Sequence, residues 1–270
     1  MSLWLCRQEQ VSHPFYVENL GIHLYSSQEL SYIIYQYPLL VMDGFVEDGL
    51  LEFLREDLNL GFLALKLEKW MASHEDPDEM LAIILQECDY YTSSQISSFR
   101  QKLATLRKKH PAEFRKMKAD ELFSLHQYGR AAELYQELLD VPKDSYVDDK
   151  YQARIWYALG SCHARLFRLS EAFEAYERAY NKVGLVEILK NLYCLTKLDD
   201  RLKLGERLST LVTEELKAGW DESFEQARQS AAASDAVAEI DRLFEKDSIR
   251  RQAGAAKLVS VWKEEYRSMA

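Results

Sequence analysis

Proline and glycine are scarce in this sequence, which has five prolines and ten glycines in 270 residues. Because these residues make most tight turns, their scarcity disfavours a fold of many short strands and favours long helices. The sequence also lacks any run of about 18 apolar residues, which a membrane-spanning helix needs. Its first ten residues lack the basic and apolar segments of a secretory signal. We therefore expect a mainly all-α, cytoplasmic protein with no membrane partner.

Motifs that bind metals or carry out catalysis are missing as well. The four cysteines lie far apart and form no CxxC pair, which argues against a zinc site and a disulfide framework. The six histidines show no HExxH or HxH spacing, and the sequence contains no GxSxG, GxxxxGK or GxGxxG motif. We predict a non-catalytic protein with no metal and no cofactor.

The net charge of -10 opposes general nucleic-acid binding, because contact with phosphates needs a cationic surface. The charges are unevenly distributed. Residues 41–91 contain thirteen acidic and three basic side chains, whereas residues 99–118 contain eight basic side chains and one acidic one. We interpret these two segments as solvated helix faces that pair with each other in the fold. The alternative is a docking patch for an acidic partner.

The first 25 residues differ from the rest, since "LWLCR" and "GIHLYS" alternate in side-chain character and lie on either side of "PFYV". This alternation predicts a small β-hairpin. Ser26 then lies three residues before Glu29, the spacing of a capping box, which predicts the start of the first helix. Asp76 and Pro111 indicate two further helix starts. Apolar periodicity predicts helices at 46–58, 60–72, 78–91, 93–109, 221–246 and 249–269.

A more regular pattern occupies the centre of the chain, where residues of defined size recur at fixed distances from Trp156. The matching residues are Leu159, Gly160, Ala172, Tyr176 and Ala179, with His163 in place of an aromatic residue. This pattern resembles the tetratricopeptide repeat, a pair of antiparallel helices. The small residues suit positions where two helix backbones cross closely.

Two further copies of this repeat are predicted. One lies 41 residues earlier, where Ala119 corresponds to Gly160 and Tyr135 to Tyr176, and its extra length falls in the loop "DVPKDSYVDD". A degenerate copy runs from 186 to 211. The resemblance covers about residues 110–217 and implies an α-solenoid of stacked helical hairpins.

Three domains follow from these patterns. Residues 1–110 are expected to form a mostly helical domain with a short β segment at 1–25. Residues 111–217 are expected to hold the tetratricopeptide-like repeats, and residues 218–270 a long helix and a terminal capping helix that covers the last apolar face.

In tetratricopeptide proteins the first helix of each repeat lines a concave groove that holds a partner. The resemblance implies these groove residues: Lys116, Asp120, Phe123, Arg154, Tyr157, Ser161, Arg165, Tyr193 and Lys197. Arginines that fork onto carboxylates, together with tyrosines, suit an acidic or extended peptide. The alternative is that these are ordinary solvated positions.

The sequence therefore favours a protein-protein interaction module, or adaptor, that binds a protein or peptide. An alternative is a ligand-binding or enzymatic N-terminal domain attached to a helical adaptor region. It is suggested by tyrosines that no repeat explains: Tyr32, Tyr35, Tyr37, Tyr90 and Tyr91. Self-association into a homodimer is a third reading.

Overall fold

The fold is mainly α-helical, which confirms the predicted fold class. The computed structural model describes residues 11–269, and within that range it contains fifteen α-helices and one two-stranded antiparallel sheet. The chain divides into two compact units, Met1–Leu125 and His126–Ala270, called here the first and the second unit. The division into three domains stays a prediction.

The predicted β-hairpin is present in the first unit. Strand β1 (Phe15–Val17) pairs antiparallel with strand β2 (Ile22–Leu24). Val17 and Leu24 are buried. Their burial fixes the register, because a slip of one residue would turn these side chains to the opposite face. The stretch "LWLCR", which shares the predicted alternation, lies outside the described residues.

Seven helices follow in the described part of the first unit. They are α1 (Ser27–Gln36), α2 (Pro38–Val41), α3 (Asp48–Glu52), α4 (Gly61–Ser73), α5 (Pro77–Cys88), α6 (Ser93–Arg107) and α7 (Pro111–Ser124). A π-helical stretch, Phe53–Asp57, continues α3. Helix α5 lies in contact with α1, α4 and α6, and α7 contacts α2.

Local side-chain chemistry fixes the starts of these helices. The Ser26 hydroxyl accepts a hydrogen bond from the backbone N–H of Glu29 at 3.2 Å. The Asp76 carboxylate accepts one from the N–H of Asp78 at 3.0 Å. Pro111 is the first residue of α7, where a missing N–H leaves no helical hydrogen bond unmade. The predicted starts at Ser26, Asp76 and Pro111 are thus confirmed.

The described part of the second unit contains eight helices. They are α8 (Tyr128–Leu139), α9 (Asp149–Arg165), α10 (Leu169–Val183), α11 (Val186–Leu198), α12 (Glu206–Ser209), α13 (Glu214–Ala232), α14 (Asp235–Phe244) and α15 (Ser248–Met269). Successive helices from α8 to α11 pack against one another, α13 contacts α11, and α15 contacts α14. This stack of neighbouring helices is compatible with a helical repeat.

Two segments of the second unit differ from the sequence expectation. The helix predicted at 221–246 is divided at Ser234, whose extended backbone (φ -72°, ψ 154°) separates α13 from α14. Alanine-rich composition favours a helix but does not fix where its hydrogen-bond ladder is interrupted. In the segment predicted as a third copy, 186–211, α11 is followed only by the four-residue α12.

Two arginines of the predicted basic segment pair with carboxylates of the predicted acidic segment. Arg100 donates from Nε to Oε2 of Glu79 at 2.9 Å. Arg107 donates to both carboxylate oxygens of Asp78, at 2.8 and 2.7 Å, and to Asp43 at 2.9 Å. The interpretation that the two segments pair within the fold is confirmed for these residues.

Asp78 is the buried member of this network. Its side chain is 7% exposed, whereas that of Arg107 is 41% exposed. Hydrogen bonding to Asp78 raises the pKa of Arg107 further above its already high value, so the guanidinium keeps its charge. A buried carboxylate that loses its cation is strongly destabilising. The Asp78–Arg107 pair therefore fastens α6 to the start of α5.

We expect Arg107→Met to lower the free energy of unfolding by about 2–3 kcal/mol, because it leaves Asp78 buried without its cation. This is below the roughly 3–5 kcal/mol of a fully buried pair, since the Arg107 side chain is partly exposed. Urea denaturation of the full chain measures the change.

Arg100→Met is the matched control, because Arg100 pairs with Glu79, whose side chain is 28% exposed. The control should cost about 1 kcal/mol or less, as exposed pairs do. Equal losses in the two variants would contradict the role assigned to Asp78.

Candidate functional site

Helices α9 and α10 approach closely at Gly160. A Cβ atom at this position would lie 2.8 Å from Cδ1 of Tyr176. The Tyr176 ring, 5% exposed, therefore occupies the space that a side chain on α9 would fill. Ala172 and Ala179 on α10 are fully buried. The contact with Tyr176 confirms that Gly160 lies where α9 and α10 cross.

Four of the predicted groove residues lie along one face of α9. Arg154, Tyr157, Ser161 and Arg165 follow one another at intervals of three or four residues, the spacing that places side chains on a common helix face. Both arginines are exposed, Ser161 is half-buried, and Tyr157 is 38% exposed. The structure brings these four together, and they are called the α9 row below.

Tyr157 is the best-supported member of the α9 row. Its ring packs against that of Tyr176, with 5.5 Å between the ring centroids. Asn191 of α11 donates from Nδ2 to the Tyr157 hydroxyl at 3.4 Å. Tyr157 therefore contacts α10 through its ring and α11 through its hydroxyl. These two contacts restrict the rotamers of the Tyr157 side chain.

Ser161 links this cluster to the helix backbone. Its hydroxyl donates to the backbone oxygen of Tyr157 at 3.0 Å and lies 3.1 Å from the Tyr176 hydroxyl. Because a serine hydroxyl has one proton, Tyr176 is the donor in the second contact. Burial raises the pKa of Tyr176 to about 12. Tyr176 thus stays neutral at physiological pH, and the positive charge of the α9 row comes from Arg154 and Arg165.

The two arginines of the α9 row are not neutralised by acids. Among residues 11–269, neither Arg154 nor Arg165 forms an ion pair, whereas Lys182 on α10 pairs with Asp149 at 2.9 Å. The Arg154 guanidinium carbon lies 5.8 Å from the centroid of the buried Tyr151 ring. The row therefore presents two guanidinium groups, one on each side of Tyr157.

Asn191 was missed by the sequence reasoning. It lies 34 residues after Tyr157, which is the usual period of the tetratricopeptide repeat. That period was the signal that could have identified it. The degenerate third copy was instead aligned by its leucines, which selected Tyr193 and Lys197.

Tyr193 and Lys197 are brought together, but against α13. The Tyr193 hydroxyl donates to Asp221 at 2.8 Å, and Lys197 Nζ lies 3.1 Å from the same carboxylate. The Tyr193 ring is buried, and its centroid lies 5.5 Å from that of Trp220. Hydrogen bonds from Tyr193 and Lys197 lower the pKa of Asp221. This cluster joins α11 to α13.

The remaining predicted groove residues lie on α7 in the first unit. Lys116 Nζ is 2.6 Å from Oδ2 of Asp120, an ion pair one helical turn apart. Phe123, three residues further on, is half-buried. The spacing of four and three residues places all three on one face of α7.

Three of the five tyrosines that no repeat explains pack against aromatic or polar neighbours. Tyr35 stacks on Tyr91 with ring centroids 4.1 Å apart and lies 5.8 Å from the buried Phe99. The Tyr90 hydroxyl is 3.4 Å from Oγ of Ser27. Burial raises the pKa of Tyr91. These contacts explain three of the five tyrosines as packing residues.

A cavity of about 440 Å³ lies beside the turn between α9 and α10. Its lining residues are Phe167, Arg168, Leu169, Ser170, Glu171, Leu198, Asp199 and Arg201. Phe167 is 74% exposed and has a left-handed backbone (φ 59°). A bulky residue pays about 1–2 kcal/mol for this conformation, which glycine adopts at little cost. Phe167 therefore places an exposed aromatic side chain at the cavity and has a strained backbone conformation.

Within residues 11–269, no group of three or more His, Cys, Asp or Glu side chains is arranged to hold a metal ion. No helix in that part of the chain is both long enough and apolar enough to cross a membrane. Comparison with protein-family models, curated proteins and solved structures gave no match. The tetratricopeptide resemblance therefore rests on the sequence pattern, and the stack of neighbouring helices is compatible with a helical repeat.

We expect Gly160→Ala to lower the free energy of unfolding by about 1–3 kcal/mol, because the new methyl group overlaps the buried Tyr176 ring. Helix propensity alone would have the opposite effect, a gain of about 1 kcal/mol. Gly219→Ala in α13 is the control, since a Cβ there meets no atom within 4 Å. The control should be stabilising. Chemical denaturation checks both, and a stabilised Gly160→Ala variant would refute the close crossing.

Phe167→Gly should raise the free energy of unfolding by about 1 kcal/mol, because it removes the strain of a left-handed phenylalanine whose side chain buries little surface. Phe167→Ala is the matched control, since alanine loses the ring but keeps the left-handed penalty. Thermal unfolding of the three proteins measures the difference. If both variants lost stability equally, the Phe167 ring would be a packing residue rather than a strained surface group.

Proposed function

We propose that the second unit is a tetratricopeptide-like interaction module that binds an acidic, extended peptide of a partner protein along the α9 row. One observation carries the proposal: Arg154 and Arg165 are exposed and lack acidic partners in the described structure, and they lie on either side of Tyr157. The predicted role is that of a non-catalytic adaptor, and the cytoplasm stays the predicted location.

The chemistry of the α9 row suits carboxylates. A guanidinium group donates two parallel hydrogen bonds to one carboxylate, which gives both strength and geometric selectivity. Tyrosine offers a flat apolar surface at little cost in side-chain entropy, and such residues concentrate binding energy at interfaces. Because Tyr157 already contacts Tyr176 and Asn191, its side chain loses less conformational entropy when a peptide binds.

Asn191 supplies a contact for the peptide backbone. Its amide group has two N–H donors and one carbonyl acceptor, and the contact with Tyr157 uses one donor. The remaining donor and the carbonyl match the N–H and C=O of an extended chain. A peptide that lies along the α9 row, beside Asn191, would thus be recognised by its acidic side chains and by its backbone.

The length of the row sets the length of the peptide. From Arg154 to Arg165 the helix rises about 16 Å. An extended chain covers that distance in about five residues, at roughly 3.3 Å per residue. We therefore expect two acidic side chains about four or five positions apart. The contact of Lys116, Asp120 and Phe123 with a partner stays a prediction.

Fluorescence anisotropy with a set of labelled ten-residue peptides, in which the number and spacing of glutamates vary, tests the proposal. We expect the double variant Arg154→Glu, Arg165→Glu to weaken binding of the preferred peptide by about tenfold or more, since attraction becomes repulsion. Tyr157→Ala should weaken binding while leaving its salt dependence unchanged, because it removes no charge.

Lys203→Glu with Arg207→Glu is the control, because it makes the same change in net charge at two exposed positions outside the row. The control should bind nearly as tightly as the unmodified chain. Equal weakening in both double variants would show a general effect of net charge and contradict the α9 row. So would the absence of binding to every peptide in the set.

A further inference from the structure

Helices α14 and α15 form a hairpin that is held together at its turn. The side chain of Leu243 lies against Gly254, so that a Cβ atom at 254 would collide with it. The Arg251 guanidinium donates to the backbone oxygens of Phe244 and Lys246, both at 3.0 Å. These contacts fix the crossing of the two helices near their connection.

The rest of α15 leaves an apolar stripe uncovered. Among its described side chains none is buried. Val259, Trp262 and Tyr266 are spaced three and four residues apart, which places them on one face, and each is 42% exposed. Phe244 and Ile249, at the turn of the hairpin, are 65% and 80% exposed. An exposed stripe of large apolar side chains on one helix face is typical of interaction surfaces.

The two helices of the hairpin carry opposite charge. Helix α14 has three acidic residues and one basic residue, and α15 has five basic residues and two acidic ones. Within the described chain no ion pair joins α14 to α15; the hairpin's one ion pair is local, between Arg250 and Asp247 at 3.4 Å. By contrast, Arg100 and Arg107 of α6 are paired with carboxylates from other parts of their unit.

We infer that the partner of this hairpin is a second copy of the chain, arranged with two-fold symmetry so that α15 of each copy lies along α14 of the other. A symmetric dimer requires a self-complementary surface, and a hairpin with one acidic and one basic helix satisfies this requirement. The apolar stripe supplies the surface to be buried, and the unpaired charges on either side set the alignment.

Net charge agrees with this assignment. The chain has a net charge of -10, so two copies repel each other over most of their surfaces. The basic helix α15 attracts a second copy of this acidic chain. A helix of 22 residues is about 33 Å long. Helix α14 has ten residues and is about 15 Å long, so the hairpin is two helices wide along about half of that length.

Sedimentation velocity on the full chain, from about 1 μM to about 100 μM, tests the inference first. A monomer–dimer equilibrium is expected. The double variant Trp262→Ala, Tyr266→Ala should raise the dissociation constant at least about tenfold, whereas Phe62→Ala, which removes a 77% exposed aromatic ring from α4, should leave it unchanged. A wild-type chain that stays monomeric throughout would overturn the inference.

A charge exchange between the two helices tests the arrangement. One variant carries Lys257→Glu, Lys263→Glu and Arg267→Glu; the other carries Asp235→Lys, Glu239→Lys and Asp241→Lys. Each alone should be monomeric, because both contacts of its symmetric dimer become repulsive. An equimolar mixture should form a heterodimer, in which both contacts are attractive again.

The mixture also controls for folding, since charge repulsion inside each variant's own hairpin persists in the heterodimer. A mixture that remains monomeric, or variants that still form homodimers, would refute the two-fold contact of α14 with α15. A wild-type chain that stays monomeric but sediments with phosphatidylserine vesicles would replace the second copy with an anionic membrane surface. The binding of the glutamate peptides to the α9 row does not enter this test, so either proposal can fail alone.

Discussion

The contact between Gly160 and the Tyr176 ring is the constraint on which the exposed face of α9 depends. It requires a residue without a side chain on one helix and a large planar one on the other. Because protein interiors are close-packed, a change in either partner moves the two helices relative to each other. The ring that fills the gap also reaches Ser161 and underlies Tyr157. The same packing contact thus sets the spacing of the helices and the position of the surface side chains.

This arrangement separates the roles of aromatic and charged residues. Tyr176 is buried and stays protonated, so it supports the α9 row without adding charge to it. Arg154 and Arg165 remain in solvent with no acidic partner in the described structure. In α6, by contrast, Arg107 is committed to Asp78. The two arginines of the α9 row are therefore available to bind another molecule.

Much of the fold could be predicted because it depends on local chemistry. The start of α1 at Ser26 and that of α7 at Pro111 need information from only a few neighbouring residues. The small residues of α9 and α10 could be predicted because the repeat pattern specifies them. The π-helical stretch Phe53–Asp57 and the break at Ser234 left no comparable pattern in the sequence.

The candidate site was harder to predict than the helices that build it. Arg154 and Arg165 were named because the tetratricopeptide resemblance implies a groove along one face of this helix, and the helical period places them on one face with Tyr157. Asn191 was missed, since its contact with Tyr157 depends on how α11 is aligned with α9. The predicted third copy is degenerate, so the sequence leaves that alignment uncertain by one or two residues. A shift of two residues in the alignment selects Tyr193, which is buried against α13, instead of Asn191, which contacts Tyr157.

Photo-crosslinking would test the central claim most directly. The preferred acidic peptide would carry a benzophenone group at its centre, and the crosslinked residues of the full chain would be identified by mass spectrometry. The α9 row predicts crosslinks within α9 and α11, close to Tyr157 and Asn191. Crosslinks in the basic segment 99–118 instead would contradict the claim and assign peptide binding to the first unit.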